Sequence, residues 1–335
     1  MAEYTQVSDG LEVRNDRLEE IKNANTVIFD IDGVLIDVKG SFRETIRETV
    51  QFYLKKNYDL DSRQKLVAPE DIHLVKMAGK FNNDWDLAEG LLAYYVDKLK
   101  KHKIKDLQQL REMDVPFKDF IKKVGAQGGG LQSVYAVLFQ DKSEEEQEAL
   151  KKEIKRTEIE HIFQEVYAGT DYCQQLYMHR PNFFRGSGKI ENEKYLLDPA
   201  GLNSEAFNYG VLTGRNKGET EMALERTGIH AVVDPDAVVY DDGTLAPKPD
   251  PAGLVKITDF LLPNGSIYCG DVVDDWRVVK NYHTVKDTPM YFCYCLTGTF
   301  DDATLAFFKG EGVDMIAQEI NHLLAWLNSI KKEKN

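Results

Sequence analysis

Three short apolar runs of this chain stop abruptly at acidic or hydroxyl residues. They are 26–29 before Asp30-Ile31-Asp32-Gly33, 209–212 before Thr213-Gly214-Arg215, and 266–269 before Gly270-Asp271. Apolar runs of this length, rich in β-branched residues, are typical of buried strands, so each strand delivers polar side chains to a turn. Ligands of open α/β sheets bind outside the carboxyl ends of the strands. We therefore expect the three turns to converge on one crevice.

The residues at these turns suit phosphoryl transfer. A carboxylate can accept a phosphoryl group as an aspartyl-phosphate, and Asp30 is the candidate nucleophile. Asp32, two residues further on, can protonate the leaving oxygen and then deprotonate the attacking water. Candidate phosphate-binding groups are the Thr213 hydroxyl, the Gly214 backbone N–H and the Lys248 ammonium. The pattern predicts an enzyme with a covalent phosphoryl intermediate.

Several carboxylates around one phosphate also predict a cation. Mg²⁺ is a hard ion that prefers oxygen ligands and neutralises charge on phosphate. Asp271, which follows the apolar run 266–269, is the best candidate for a remote magnesium ligand. Asp274 and Asp275 can each bind the ion or orient its water molecules, and the sequence does not decide which lies closer.

Each of these segments has a simpler interpretation when it stands alone. Asp-x-Asp is usually a turn or a helix cap, and Thr213-Gly214 suits an ordinary strand-to-helix turn. Lys248 can be a solvated loop lysine, and Asp271, Asp274 and Asp275 can cap a helix. Their occurrence together, in this order, favours a single site.

The four segments resemble the motifs of the haloacid dehalogenase superfamily of phosphotransferases. In order along the chain they are Asp30-Ile31-Asp32-Gly33-Val34, Thr213, Lys248 within Pro247-Lys248-Pro249, and Gly270-Asp271-Val272-Val273-Asp274-Asp275. The resemblance implies that Asp30 is nucleophile and metal ligand, and that the main-chain carbonyl of Asp32, the acid/base, binds metal. It further implies that Thr213 and Lys248 bind phosphate, that Asp271 binds metal, and that Asp275 is the second acidic position of the fourth motif.

Between the first and second motifs the sequence is similar to a poorly characterised, subfamily IA-like branch of these hydrolases. The similarity lies in residues 79–86, Gly128-Gly129-Gly130-Leu131 and Phe184-Arg185-Gly186. Candidate substrate-reading residues in this region are Arg43, Asn82, Asn83, Trp85 and Arg185. Residues 82–85 are equally well explained as a helix start with Trp85 in a core, and arginines beside aromatic residues are commonly surface residues. The glycine run suits a flexible connection or an anion-binding helix start.

The pattern along the chain predicts an α/β fold class with an insertion. Residues 1–20 are polar and aperiodic, which predicts a loose N-terminal extension. Strands and helices alternate in 21–38 and 206–335, typical of a doubly wound parallel sheet, and the resemblance makes this the Rossmann-like core. Residues 39–205 show mainly helical periodicity and form the expected cap domain. Capping boxes are predicted at Ser41–Glu44 and at Ser143–Glu146, where one helix continues to Val166.

The amino-acid composition limits the kinds of partner and the cellular location that we expect for this protein. Lys and Arg total 42 against 56 Asp and Glu, a net charge of −14, which disfavours nucleic acid or anionic membrane as a partner. No apolar run is long enough to span a bilayer and no basic-then-apolar leader opens the chain, so we expect a soluble, unexported protein. Cys173, Cys269, Cys293 and Cys295 lack zinc-type spacing. Buried reduced thiols, and with them a cytoplasmic location, are the expectation.

Together these observations predict a Mg²⁺-dependent phosphomonoester hydrolase of a small soluble phosphorylated metabolite, acting through an aspartyl-phosphate on Asp30. A phosphomutase of a sugar phosphate would use the same intermediate. Phosphonatase chemistry would require a Schiff-base lysine from the insertion, for which Lys76 and Lys80 are available. A catalytically silent binding protein on the same fold is the alternative from another class. The sequence names neither the substrate nor the oligomeric state.

Overall fold

A computed structural model describes residues 2–60, 65–81, 83–103, 110, 117–297 and 301–334. The chain divides into two compact units, Met1–Val38 with Lys194–Asn335 (the α/β unit) and Lys39–Glu193 (the helical unit). The insertion therefore ends at Glu193 rather than at residue 205. The reason is that β5, Lys194–Tyr195, pairs with β4, Ile36–Asp37, and so joins the following residues to the α/β unit.

The α/β unit is built on an eight-stranded sheet with the order β1-β2-β10-β9-β8-β3-β6-β7. Its strands are β1 Tyr4–Ser8, β2 Leu11–Arg14, β3 Thr26–Phe29, β6 Asn208–Leu212, β7 Val238–Val239, β8 Ser266–Gly270, β9 Met290–Cys295 and β10 Met315–Ala317. The six strands from β10 to β7 in this order are parallel to their neighbours, whereas β1–β2 and β2–β10 are antiparallel pairs. The predicted α/β class with a largely parallel sheet is confirmed.

Helices alternate with these strands. They are α1 Leu18–Ile21, α9 Lys217–Thr227, α10 Ala252–Leu261, α11 Val273–Tyr282, α12 Asp302–Glu311 and α13 Ile320–Lys334. Capping fixes where α9 begins, because Asn216 and Glu219 exchange side-chain to backbone hydrogen bonds. No helix in the described ranges combines the length and the apolarity needed to cross a membrane.

The first 20 residues are not a loose extension, and that expectation is wrong. Strands β1 and β2 form a hairpin, and β2 adds to the sheet by pairing with β10. Leu11 and Val13 are fully buried, so this short strand contributes two apolar side chains to the core. Gly10 between the strands has φ +65°, a conformation that glycine adopts without strain.

The register of the central strands brings their carboxyl ends to one level. Phe29 at the end of β3 lies opposite Val211 in β6 and Cys269 in β8. All four residues of β3 are buried, as expected for a strand between two parallel neighbours. The residues that follow β3, β6 and β8 therefore leave the sheet at the same edge.

The helical unit contains α2 Phe42–Tyr58, α3 Pro69–Ala78, α4 Asp84–His102, α5 Phe117–Ala126, α6 Gly130–Phe139, α7 Glu144–Glu153 and α8 Arg156–Tyr177. Its core includes Phe42 stacked on Tyr167 with ring centroids 4.1 Å apart. The predicted capping box at Ser143 and Glu146 is present. Ser41 makes no capping hydrogen bond and its hydroxyl lies 3.5 Å from Glu193, so that box is absent. The helix expected to continue to Val166 is divided at Ile154–Lys155, which takes non-helical backbone angles.

Candidate active site

A buried cluster of carboxylates lies where β3 and β8 end. Asp30 follows β3 and is 5% exposed, while Asp271 and Asp275 follow β8 and are 8% and 0% exposed. One carboxylate oxygen from each of the three lies within 4.8 Å of the others. The backbone N–H of Asp30 donates to the Cys269 carbonyl at 2.9 Å, which joins the two strand ends. The predicted convergence of the first and fourth motifs is therefore present in the structure.

Lys248 lies in the middle of this cluster. Its Nζ is 2.7 Å from Asp275 Oδ1, 3.2 Å from Asp30 Oδ2 and 3.3 Å from the Tyr268 hydroxyl. Burial lowers the pKa of Lys248, but Asp275 and Asp30 outweigh it and hold that pKa well above the usual value. The ammonium therefore stays charged beside the candidate nucleophile.

The cluster carries more negative than positive charge. Burial raises the pKa of Asp30 well above its usual range, and Asp275, Asp32 and Asp271 raise it further against the opposing effect of Lys248. A carboxylate taken out of water is costly unless an opposite charge compensates it. Hard oxygen donors and excess negative charge in one buried place fit a divalent cation such as Mg²⁺.

Asp275 differs from the other two carboxylates in its hydrogen bonds. Its Oδ1 accepts from Lys248 and from the Tyr268 hydroxyl at 2.9 Å, and its Oδ2 accepts from the backbone N–H groups of Asp271 and Val272 at 3.0 and 3.2 Å. A carboxylate offers about four acceptor positions, so these bonds occupy its capacity. Asp275 is close enough to ligate an ion, yet its contacts are those of a residue that orients Lys248 and the Asp271 turn. Asp274 lies outside the group of three and contacts Arg277 at 3.4 Å.

Glycines allow the two motifs to approach each other. Gly33 has φ +76°, and a Cβ built there would overlap the Asp271 carboxylate. A Cβ on Gly270 would overlap the side chain of Asp275. A larger residue at either position would displace a carboxylate of the cluster.

Thr213 follows β6 and is 4% exposed. Its backbone N–H donates to the Val239 carbonyl at 3.0 Å, and its hydroxyl oxygen accepts from the Arg215 N–H at 3.2 Å. Because this hydroxyl oxygen acts as an acceptor, its proton is oriented away from the Arg215 N–H and can be donated to an anion. The neighbouring Gly214 is exposed.

The model of the family haloacid dehalogenase-like hydrolase matches residues 24–275. That range includes all four motifs and most of the chain. This chain belongs to the haloacid dehalogenase-like hydrolases. The family resemblance and the hydrolase class predicted from the sequence are thereby confirmed.

Two solved structures share the fold of this hydrolase. Phosphatase Tt82 from Thermococcus thioreducens is 21% identical with a TM-score of 0.56, over 91% of this chain and 98% of that chain. Northeast Structural Genomics Consortium target ZR25 is 14% identical with a TM-score of 0.54, over 92% and 99% of the two chains. At such identities the likeness establishes the fold. The search of curated proteins found no match.

Two residues of the hydrolase site were missed by the motif analysis. Arg215 is 3% exposed, and its Nε and Nη2 lie 2.9 and 2.7 Å from Asp32 Oδ1. Tyr268 is fully buried in β8 and its hydroxyl contacts both Lys248 and Asp275. A tyrosine within an otherwise apolar strand signals a buried hydroxyl that needs a partner, and this pattern could have identified Tyr268.

The candidate substrate residues lie in the helical unit of the hydrolase. Asn83 caps α4, accepting from the N–H groups of Trp85 and Asp86 at 3.0 and 3.4 Å. Trp85 meets Phe163 edge-on with ring centroids 5.9 Å apart. Asn83 therefore matches the helix-start interpretation, whereas Trp85 is half-buried beside Phe163 rather than fully in a core. The roles of both residues toward substrate stay predictions. Arg185 is exposed, and Asn82 lies outside the described residues.

Arg43, the remaining candidate, is only 9% exposed, and within the described part of the chain its Nε has no hydrogen-bond partner. A buried guanidinium nitrogen without an acceptor is unfavourable, which is consistent with a site for an anion.

The glycine run of the helical unit has a packing role. Gly128, Gly129 and Gly130 all have positive φ, and the Gly130 N–H donates to the Gly79 carbonyl at 2.9 Å. A Cβ on Gly129 would overlap the backbone of Gly79. The run thus allows two backbone segments to approach closely, in place of the expected flexible connection.

Proposed function

We propose that this hydrolase is a Mg²⁺-dependent phosphomonoesterase of a small soluble phosphorylated metabolite. The observation that carries the proposal is the environment of Asp30, a carboxylate at the end of the central strand, 3.2 Å from an ammonium and grouped with Asp271 and Asp275. The family supplies the hydrolase class, and the phosphatase name of Tt82 agrees with the phosphate ester as substrate. We expect neither nucleic acid nor an anionic membrane as a partner, in keeping with a net charge of −14.

In the first step Asp30 attacks phosphorus, and the bond from phosphorus to the leaving oxygen breaks as Asp32 protonates that oxygen. In the second step Asp32 accepts a proton from water, the water attacks the aspartyl-phosphate, and Asp30 is released with inorganic phosphate. Thr213, Gly214 and Lys248 would hold the phosphate oxygens through a hydroxyl, a backbone N–H and an ammonium. Lys248 also keeps Asp30 in place, since it binds Asp30 and Asp275 together.

The magnesium site would be formed by Asp30, Asp271 and the main-chain carbonyl of Asp32, with Asp275 as its orienting neighbour. When bound, Mg²⁺ would neutralise charge on the phosphate and on the buried carboxylates. The three acidic side chains and single ammonium of the cluster support this assignment, because the excess charge is buried.

Substrate choice would depend on the helical unit, through Arg43, Asn82, Asn83, Trp85 and Arg185. Arg43 has the strongest support, since a substrate anion would satisfy its buried Nε.

The four cysteines are buried and form no disulfide, as predicted, which suits the reducing cytoplasm as the place of action.

Release of inorganic phosphate from a panel of phosphorylated metabolites and one aryl phosphate, with Mg²⁺ or with a chelator, tests the proposal. We expect release that requires Mg²⁺ and falls at least about 10³-fold in Asp30→Asn. Full activity of Asp30→Asn, or indifference to chelation, would contradict it. An isomerised sugar phosphate as product would indicate a mutase, and no turnover of any substrate would indicate a silent binding protein.

A further inference from the structure

We infer that Arg215 is a positioning residue that sets the orientation of Asp32 for proton transfer to the leaving group. This inference rests on the proposed function, because it concerns the acid/base residue of that reaction. It adds a second role to the Thr213-Gly214-Arg215 segment, beyond phosphate binding.

The first observation is that both contacts go to one oxygen. Arg215 Nε lies 2.9 Å and Nη2 lies 2.7 Å from the same atom, Asp32 Oδ1. Two donors from one rigid guanidinium hold Oδ1 in place more firmly than a single donor would, and so restrict the rotamers of the Asp32 side chain. The second oxygen, Oδ2, receives neither contact from Arg215. Proton transfer requires such an oxygen, free to face the leaving group.

The second observation is the difference in exposure between the partners. The Arg215 side chain is 1% exposed, whereas the Asp32 side chain is 28% exposed. A substrate can therefore reach the carboxylate while the guanidinium stays behind it. Arg215 is the anchored member of the pair and Asp32 is the member presented to the crevice.

The third observation is that the backbone of Arg215 is itself held. Its N–H donates to the Thr213 hydroxyl at 3.2 Å, and its carbonyl accepts from the Asp241 N–H at 2.9 Å. Arg215 is therefore fixed to the turn that carries Thr213. The turn at the end of β6 thus positions a phosphate-binding hydroxyl and, through Arg215, the acid/base carboxylate.

These contacts have a kinetic consequence. An aspartate without a partner samples several staggered rotamers, and only an orientation within hydrogen-bond reach of the leaving oxygen transfers a proton. Misplacement by about 1 Å lowers a rate about 10²-fold. Alkoxides are poor leaving groups and need this proton, whereas an acidic phenolate departs without it. Loss of Arg215 should therefore lower the rate with alkyl phosphates far more than the rate with activated aryl phosphates.

The experiment compares kcat for an alkyl phosphate and for 4-nitrophenyl phosphate in wild type, Arg215→Met and Arg215→Lys, all with Mg²⁺. We expect Arg215→Met to lower the alkyl rate about 10²-fold and the aryl rate only a few-fold. Arg215→Lys, which keeps the charge but offers one donor group in place of the fork, should recover part of the alkyl rate. In an Asp32→Asn background, Arg215→Met should cause no further loss with the alkyl substrate.

Arg14→Met is the matched control for loss of a largely buried arginine. Arg14 is in the same unit, its side chain is 15% exposed, and it pairs with Asp16 and Asp314. It ends β2, which runs antiparallel to β10, so it lies at the amino ends of the parallel strands, away from Asp30. Arg14→Met should leave the ratio of alkyl to aryl rates unchanged.

Equal losses with both substrates in Arg215→Met and in Arg215→Lys would overturn the inference and reduce Arg215 to a structural residue. A double variant slower than Asp32→Asn alone would overturn it too. In both cases, Mg²⁺-dependent phosphate release by the wild type would still support the proposed function. Failure of the proposed function has a different signature, since wild type would then release phosphate from neither substrate.

Discussion

Replacing Tyr268 by phenylalanine removes one hydroxyl from the centre of the candidate active site. That hydroxyl donates to Asp275 Oδ1 at 2.9 Å and accepts from Lys248 Nζ at 3.3 Å. Burial raises the pKa of Tyr268 well above its usual value, and Asp275 raises it further, so the hydroxyl stays protonated as a donor. Hydrogen bonds to charged groups contribute about 1.5–3 kcal/mol, against about 0.5–1.5 kcal/mol for neutral pairs. We expect Tyr268→Phe to lower the free energy of unfolding by about 1.5–3 kcal/mol.

Tyr282→Phe is the matched control. Tyr282 is also fully buried in the α/β unit, and its hydroxyl donates to the Thr258 hydroxyl, a neutral partner, at 3.1 Å. Loss of the Tyr282 hydroxyl should lower the free energy of unfolding by about 0.5–1.5 kcal/mol. Urea denaturation followed by tryptophan fluorescence gives both values. Phosphate release should fall in Tyr268→Phe, because Lys248 loses its contact with the tyrosine hydroxyl, and should stay unchanged in Tyr282→Phe. An equal decrease in the free energy of unfolding in the two variants, or full activity of Tyr268→Phe, would refute the charge-assisted role of the Tyr268 hydroxyl.

Further predictions concern the charge of the cluster, its cation and the thiols. Lys248→Met leaves Asp30 and Asp275 buried without their ammonium and should destabilise the fold by about 3–5 kcal/mol at neutral pH, seen in urea titrations. Mg²⁺ should raise Tm in proportion to the logarithm of its concentration, and this rise should vanish in Asp271→Asn if the ion binds there. Burial raises the pKa of Cys173 to about 11, and the other three cysteines are fully buried, so a thiol reagent at pH 8 should modify none of them until urea is added. Rapid modification of the native protein would contradict the assignment of inert core thiols.

The parts of the site that could be predicted from the sequence are those carried by local pattern. The strand before Asp30 and the strand before Asp271 are short apolar runs with an abrupt polar end, and the parallel register then brings the ends together. Arg215 could not be assigned a role in this way, because it meets a partner 183 positions away. For Tyr268 the local pattern indicates a buried hydroxyl that needs a partner, but it does not show that the partners are Lys248 and Asp275.

Two incorrect predictions about the fold, for the N-terminal residues and for the end of the insertion, have the same origin. Residues 4–14 carry only two buried apolar side chains in β2, and that strand is stabilised by β10, some 300 positions later. The boundary of the insertion depends on pairing between Ile36–Asp37 and Lys194–Tyr195, two strands too short to show a periodic pattern. Long-range pairing, rather than local propensity, decides such elements.

The central claim is that the phosphoryl group passes through Asp30, and trapping it there is the most direct test. Wild type and Asp30→Asn are mixed with isotopically labelled substrate and Mg²⁺, quenched in acid and digested. We predict label on the peptide that contains Asp30, released by hydroxylamine as expected for an acyl phosphate, and none in the variant. Label on a different residue, or turnover of the wild type with no labelled peptide at any time, would contradict the account.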